Sequence, residues 1–261
     1  MTVARLELLP DQVHVWMAAC DTVEPQWVQR YRTQLLSEQE RAMEMNFHFP
    51  RDRLQYVVTR ALVRCVLSRY SDVAPSDWCF GKTDHGQPTI VGPQGAGEGM
   101  TFNISHSGSL VVLGVTRQAR LGVDTEALAR GDDFIAIGRR SFSPLEVAEL
   151  DALPPTRRRH GYIAHWTLKE AYVKARGVGL SIALDSFAFH RTEDERIEFH
   201  RNGAAADTSD WHFSLVQPCA SHMASICYQR HDGRAPQVSF RRMQPLIGEH
   251  FCDVTLLAHS A

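Results

Sequence analysis

Asp124 and Glu126 stand two residues apart in the apolar run Leu121-Gly122-Val123-Asp124-Thr125-Glu126. In an extended strand, residues i and i+2 project from one face, so the two carboxylates point together. Like charges that close repel unless a cation or basic groups lie between them. The pair alone fits an exposed strand edge as well as a metal site, and the flanking Leu121 and Val123 favour an internal strand. Further along, Trp166, Glu170 and Lys174 recur at four-residue spacing, on one face of a helix. A routine surface Glu–Lys pair gives the same pattern. Lys169 beside Glu170 also fits a solvated face, but Trp166 is costly to expose and is expected to mark a pocket rim holding Glu170 and Lys174. Three carboxylates that could converge on one hard cation, next to a lysine, suit chemistry on a phosphate ester. A third element is Phe102-Asn103-Ile104-Ser105-His106-Ser107-Gly108. Alternation buries Phe102 and Ile104, and the strand then ends in polar residues. A hydroxyl and an imidazole donating to phosphate oxygens is one reading, and a capped strand end is the other. Ser105 and His106 are too close in sequence for a Ser–His nucleophile pair, and no nucleophile elbow surrounds them.

Strands and helices must hold these groups in place, and the patterning predicts where. The first ten residues read as a tail, followed by a strand at 13–18. Residues 24–45 are helical in two pieces, with a Ser37/Glu40 capping box opening the second. A helix over 51–70 buries Leu54, Val57, Val58, Ala61, Leu62, Cys65 and Val66, and turns Arg53, Arg60 and Arg64 the other way. Short strands at 78–80 and 89–91 flank a polar turn that contains Lys82 and Thr83, and a glycine-rich loop occupies 92–99. Strands follow at 100–105, 110–115 and 121–126, then helices at 132–141, 144–152 and 157–175. Ser143 is a good N-cap before Pro144, and Gly177 and Gly179 end the long helix. Beyond 185 the alternation reads as antiparallel strands, and 234–261 carries no firm pattern. A strand, helices, then strands occurs once before about 117 and once after. That order predicts an α+β protein of two similar halves, 1–117 and 118–261, with a site in the cleft between them.

Composition narrows the function. With a formal net charge of −2 over 261 residues, no global basic field points to nucleic acid. No apolar run is long enough to span a bilayer, and the first residues lack a signal-peptide plan. The six cysteines form no Cys-x-x-Cys pair and read as reduced thiols, so a cytoplasmic location is expected. The glycine-rich loop leads into a strand, which excludes a phosphate loop or dinucleotide fingerprint. Thirteen histidines supply no helical His-x-x-x-His zinc pattern.

The segments Phe102–Gly108, Gly122–Glu126 and Trp166–Lys174 together resemble the three signature motifs of the 4′-phosphopantetheinyl transferases, most of all the surfactin-synthetase-activating type. Glu170 follows Glu126 by 44 residues, and the likeness continues through 140–146 and 179–187. The resemblance implies a fold of two pseudo-two-fold-related α+β halves. It implies transfer of the phosphopantetheine arm of coenzyme A to a serine of an acyl or peptidyl carrier protein, releasing adenosine 3′,5′-bisphosphate. Asp124, Glu126 and Glu170 would hold Mg²⁺ or Mn²⁺. Glu170 would be the general base, Lys174 would neutralise phosphate charge, and Lys169 would assist. Coenzyme A would be held by Arg51, Lys82, Thr83, Ser105, His106 and Lys174, with His106 near the 3′-phosphate. A carrier would dock around Phe134–Leu150, and the two-half type implies a monomer. The chain departs from the family at Gln87, Glu40 and Met43, where relatives carry lysines, which leaves Arg53, Arg60 or Lys82 to supply positive charge. A silent member that binds coenzyme A or carriers, and another Mg²⁺-dependent phosphoryl-transfer enzyme, are the competing readings.

Overall fold

The computed structural model describes residues 5–201, 204–205, 210–229 and 235–260. It is an α+β protein of two compact units: Met1–Gln118 with Val238–Cys252, and Ala119–Gln237 with Asp253–Ala261.

In the first unit, strand β1 (Gln12–Ala19) pairs antiparallel with β5 (Leu110–Arg117), which pairs antiparallel with β4 (Met100–Ser107). Helices α1 (Pro25–Gln34), α2 (Glu38–Met45) and α3 (Pro50–Leu67) lie between β1 and β4 in sequence. Proline opens α1 and α3, where a missing N–H costs nothing, and the predicted Ser37/Glu40 capping box opens α2. The apolar face of α3 buries Val58, Leu62 and Val66 in one cluster with Trp16, Leu113 and Val115 of the sheet. The strands β2 (Cys79–Lys82) and β3 (Pro88–Gly92) form the expected hairpin around the polar turn.

Two expectations fail in this unit. Residues 5–10 are not a loose tail: Leu8 is buried, and the Leu6 N–H donates to the Arg69 carbonyl at 2.7 Å. The unassigned C-terminal segment supplies β12 (Gln237–Gln244) and β13 (Gly248–Phe251), and the sheet order is β13-β12-β1-β5-β4. A single cut near 117 therefore misses a strand pair that returns to the first sheet. Arg69 and Arg241 both pair with Glu249 to fasten it.

The second unit is built on the sheet β14-β10-β11-β6, from β6 (Leu121–Ala127), β10 (Trp211–Cys219), β11 (His222–Gln229) and β14 (Thr255–His259). A smaller sheet joins β7 (Phe187–Arg191), β8 (Ile197–Arg201) and β9 (Ala204–Ala205). Helices α4 (Asp132–Ser141), α5 (Pro144–Ala152) and α6 (Pro155–Arg176) match the predicted spans closely. Gly177, at φ 66°, ends α6 in the left-handed conformation that only glycine adopts without strain. The core is aromatic: Tyr172 of α6 packs edge-on against Phe187 and Trp211, with Phe189, Phe199 and Phe213 around it.

Candidate functional site

The acids of β6 meet α6 because one glycine allows it. A Cβ on Gly122 would lie 1.9 Å from the Ala171 carbonyl oxygen and 2.5 Å from the Ala175 nitrogen, so the strand touches the helix backbone there. Asp124 and Glu126 follow at i+2 and i+4 and share that face. Their antiparallel partners on β11 are Ser225 and Met223. Ser225 in turn bonds Thr167 of α6 at 2.8 Å, a second tie holding helix to sheet.

Glu170 and Lys174 lie on the turns of α6 that face this strand. Lys174 Nζ donates to Asp124 Oδ1 at 2.6 Å and to the Val123 carbonyl at 3.2 Å. The Glu170 carboxyl is held above the usual carboxylate range, first by burial and then by the negative charge of Asp124, with Glu126 adding to it and Lys174 opposing. Mutual repulsion of this kind arises only where the three acids share one field. Arg130 completes the set, pairing with Glu126 at 2.7 Å.

Among the described residues, no three His, Cys, Asp or Glu side chains stand close enough to hold a metal ion as placed. The two strand acids instead meet Lys174 and Arg130. The chemistry of the donor set nevertheless fits a hard divalent cation: three carboxylates, two of them on one strand face, whose repulsion a cation would relieve.

Contrary to expectation, Lys169 does not belong to this group. Its ammonium is fully buried, paired with Glu146 at 2.9 Å and donating to the Leu184 and Phe187 carbonyls at 2.7 and 2.6 Å. Three acceptors use all three of its protons. Burial lowers its pKa while Glu146 pulls the other way, with a net result below the usual lysine value. Glu146 also accepts from the Ser143 N–H and hydroxyl and from the Phe189 N–H. This buried carboxylate thus ties α5, α6 and β7 together, and Lys169 is part of the scaffold. Trp166 is not an open rim either: it packs against Phe134 and Phe142, with ring centroids 5.2 and 6.1 Å away.

The remaining predicted residues lie in the first unit. β4 runs on through Ser107, and strand alternation sends buried Ser105 and exposed His106 to opposite faces. Lys82 is exposed at the end of β2, and Thr83 shapes the turn, its hydroxyl accepting from the Gln87 N–H at 3.1 Å. Arg51 is exposed in the first turn of α3, beside Asp52. Of the substitutes proposed for the missing lysines, Arg60 is taken up by Glu40 at 2.5 Å, and Arg53 donates to the Phe47 carbonyl at 2.8 Å. Glu40 binds Arg64 as well, so it neutralises two arginines.

Gly122, Arg130 and Glu146 were missed as contributors to the site. A glycine inside an apolar strand is itself a signal of close backbone approach, and Ser143-x-x-Glu146 is a legible capping box. Nothing in the sequence marks Arg130 as the partner of Glu126.

The model of the 4′-phosphopantetheinyl transferase superfamily matches residues 120–227, and that of the 4′-phosphopantetheinyl transferase N-terminal region matches 21–118. The chain is 35% identical over 177 residues to 4′-phosphopantetheinyl transferase HetI of Nostoc sp., covering 68% of this chain and 73% of that protein. It is 30% identical over 162 residues to 4′-phosphopantetheinyl transferase Sfp of Bacillus subtilis, covering 62% and 69%. A phosphopantetheinyl transferase of Thraustochytrium sp. is 29% identical over 255 residues, covering 90% and 85%.

Proposed function

The chain belongs to the 4′-phosphopantetheinyl transferases, and from that premise we propose that it moves the phosphopantetheine arm of coenzyme A onto a serine hydroxyl of an acyl or peptidyl carrier protein. The serine oxygen bonds to the phosphorus that bears the arm, and adenosine 3′,5′-bisphosphate leaves with the electrons of the broken pyrophosphate bond. The observation that supports this reading most is the contact of β6 with α6 at Gly122, which sets Asp124 beside Lys174 and within the field of Glu170.

Asp124, Glu126 and Glu170 would hold Mg²⁺ or Mn²⁺. When bound, the metal supplies charge neutralisation to the pyrophosphate as its bond breaks. Glu170, with its affinity for a proton raised by burial, accepts the proton of the carrier serine. Lys174 exchanges Asp124 for a phosphate oxygen and offsets its charge. His106, exposed on β4, binds the nucleotide end together with Arg51, Lys82 and Thr83, while buried Ser105 faces away from it. The carrier lies along α4 and the start of α5, where Ile137 is exposed while Phe134 is buried against Trp166. The enzyme works as a monomer of the surfactin-synthetase-activating type in the cytoplasm.

The test is to incubate the protein with coenzyme A, Mg²⁺ and a panel of apo acyl and peptidyl carriers, and to weigh the carriers. A gain equal to the phosphopantetheine arm on at least one is the expected result. No gain on any carrier refutes the proposal.

A further inference from the structure

The second unit carries a groove of about 540 Å³ between α5 and the β7–β8 hairpin. Its walls are Leu145 and Glu149 on α5, Ala188 and His190 on β7, and Glu198 and His200 on β8. In the β7–β8 pairing Ala188 stands opposite His200 and His190 opposite Glu198, so these four share one face of the hairpin. The opposite face sends Phe187, Phe189, Ile197 and Phe199 into the core, which makes the groove floor rigid. The volume lies within the usual range for small-ligand pockets.

The chemistry of the lining is one-sided. Glu149, Asp185 and Glu198 contribute carboxylates, and no lysine or arginine is among the lining residues. Glu146 also reaches the groove, but its charge is matched by buried Lys169. An imidazole stands beside two of the acids: His190 Nδ1 is within hydrogen-bond distance of Glu149 at 3.1 Å, and His200 lies 3.6 Å from Glu198. Against these charges Leu145 presents an apolar side chain that is 63% exposed.

An added peptide strand does not suit this place. Along the β7 edge the Phe189 N–H is already donated to Glu146, the Phe187 carbonyl accepts from Lys169, and the Phe189 carbonyl lies 3.1 Å from His165 Nε2. Strand addition needs a row of available backbone groups, and side chains have taken these. Recognition in the groove must therefore come from side-chain charge and apolar surface. We propose that it binds a small organic cation, an amine or guanidine on an apolar body, with the charged head among the Glu149, Asp185 and Glu198 carboxylates and the body against Leu145 and Ala188. The site is distinct from the transfer chemistry, since none of these residues is Asp124, Glu126, Glu170 or Lys174.

Phenethylamine and its anionic counterpart phenylacetate are the probes, titrated into the full chain and followed by amide chemical shifts. Saturable shifts around Leu145, Ala188 and Glu198 with the amine alone are expected. The Asp185→Asn/Glu198→Gln double variant should weaken them by roughly tenfold or more, the scale of losing charged hydrogen-bond partners, while the carrier-loading rate stays unchanged. Equal binding of phenylacetate, no saturation with the amine, or an unaltered affinity in the double variant would overturn the proposal. Binding of a Leu-Arg-Leu tripeptide without any binding of the amine would overturn it too, in favour of a polypeptide partner.

Discussion

Two lysines five residues apart on one helix have opposite fates. Lys174 is partly exposed and bonds Asp124, whereas Lys169 is wholly buried against Glu146. Replacing each with methionine should separate the two roles. Lys174→Met is expected to lower carrier loading by roughly 100-fold, the scale of losing one transition-state donor, with little change in the urea midpoint. Lys169→Met strands the Glu146 carboxylate in the core and should cost about 3–5 kcal/mol of stability in the same urea titration. A fully active Lys174→Met, or an undiminished midpoint for Lys169→Met, would contradict these assignments. At the acids, Asp124→Ala and Glu170→Ala should each abolish loading with the circular dichroism spectrum intact, and EDTA should have the same effect on the unaltered protein. Near-normal turnover in either variant would remove that residue from the metal set.

At the scale of elements, the site depends on how closely β6 can approach α6. Gly122→Ala introduces a methyl where the Ala171 carbonyl already stands, and neither backbone can yield without breaking its own hydrogen bonds. The expected cost exceeds about 3 kcal/mol, in the range reserved for overpacking of a core. Carrier loading should fall with it, because Asp124 and Glu170 move apart. The entry to α5 is a milder case. Ser143→Ala removes one half of the capping box and a hydroxyl donated to Glu146, for about 1 kcal/mol by thermal unfolding.

At the scale of the whole molecule, the first unit draws a strand pair from beyond residue 236. Ending the chain there would strip β12 and β13 from the first sheet, remove Glu249 from Arg69, and take β14 from the second sheet. Loss of cooperative unfolding in both units is the expected outcome. His14 on β1 adds a pH dependence. Burial, aided by the charge of Arg241, lowers its pKa from 6.5 to about 4. The unfolded chain therefore binds a proton that the folded one refuses between those values. Its contribution is fully present above pH 6.5 and is lost as pH falls to about 4, to the extent of roughly 3 kcal/mol. His14→Asn should flatten the stability profile across that window, and an unchanged acid limb would show that other groups dominate it.

Local order was legible in the sequence wherever short-range physics governs it. Helix spans, the Ser37/Glu40 capping box, the Ser143 N-cap, the Gly177 stop and the pairing of Asp124 with Glu126 on one face follow from periodicity, caps and alternation, all fixed within a few residues. The three motifs likewise sufficed to indicate the family. Other features depended on contacts distant in sequence. Arg60 looked available until Glu40 was found against it, and Lys169 looked catalytic until Glu146 took its charge. Strand β12 looked unpatterned because its sheet neighbour, β1, lies more than 200 residues earlier. A side chain's type and spacing fix what chemistry it can do. Which charge it meets, and whether water reaches it, is decided only when distant segments pack.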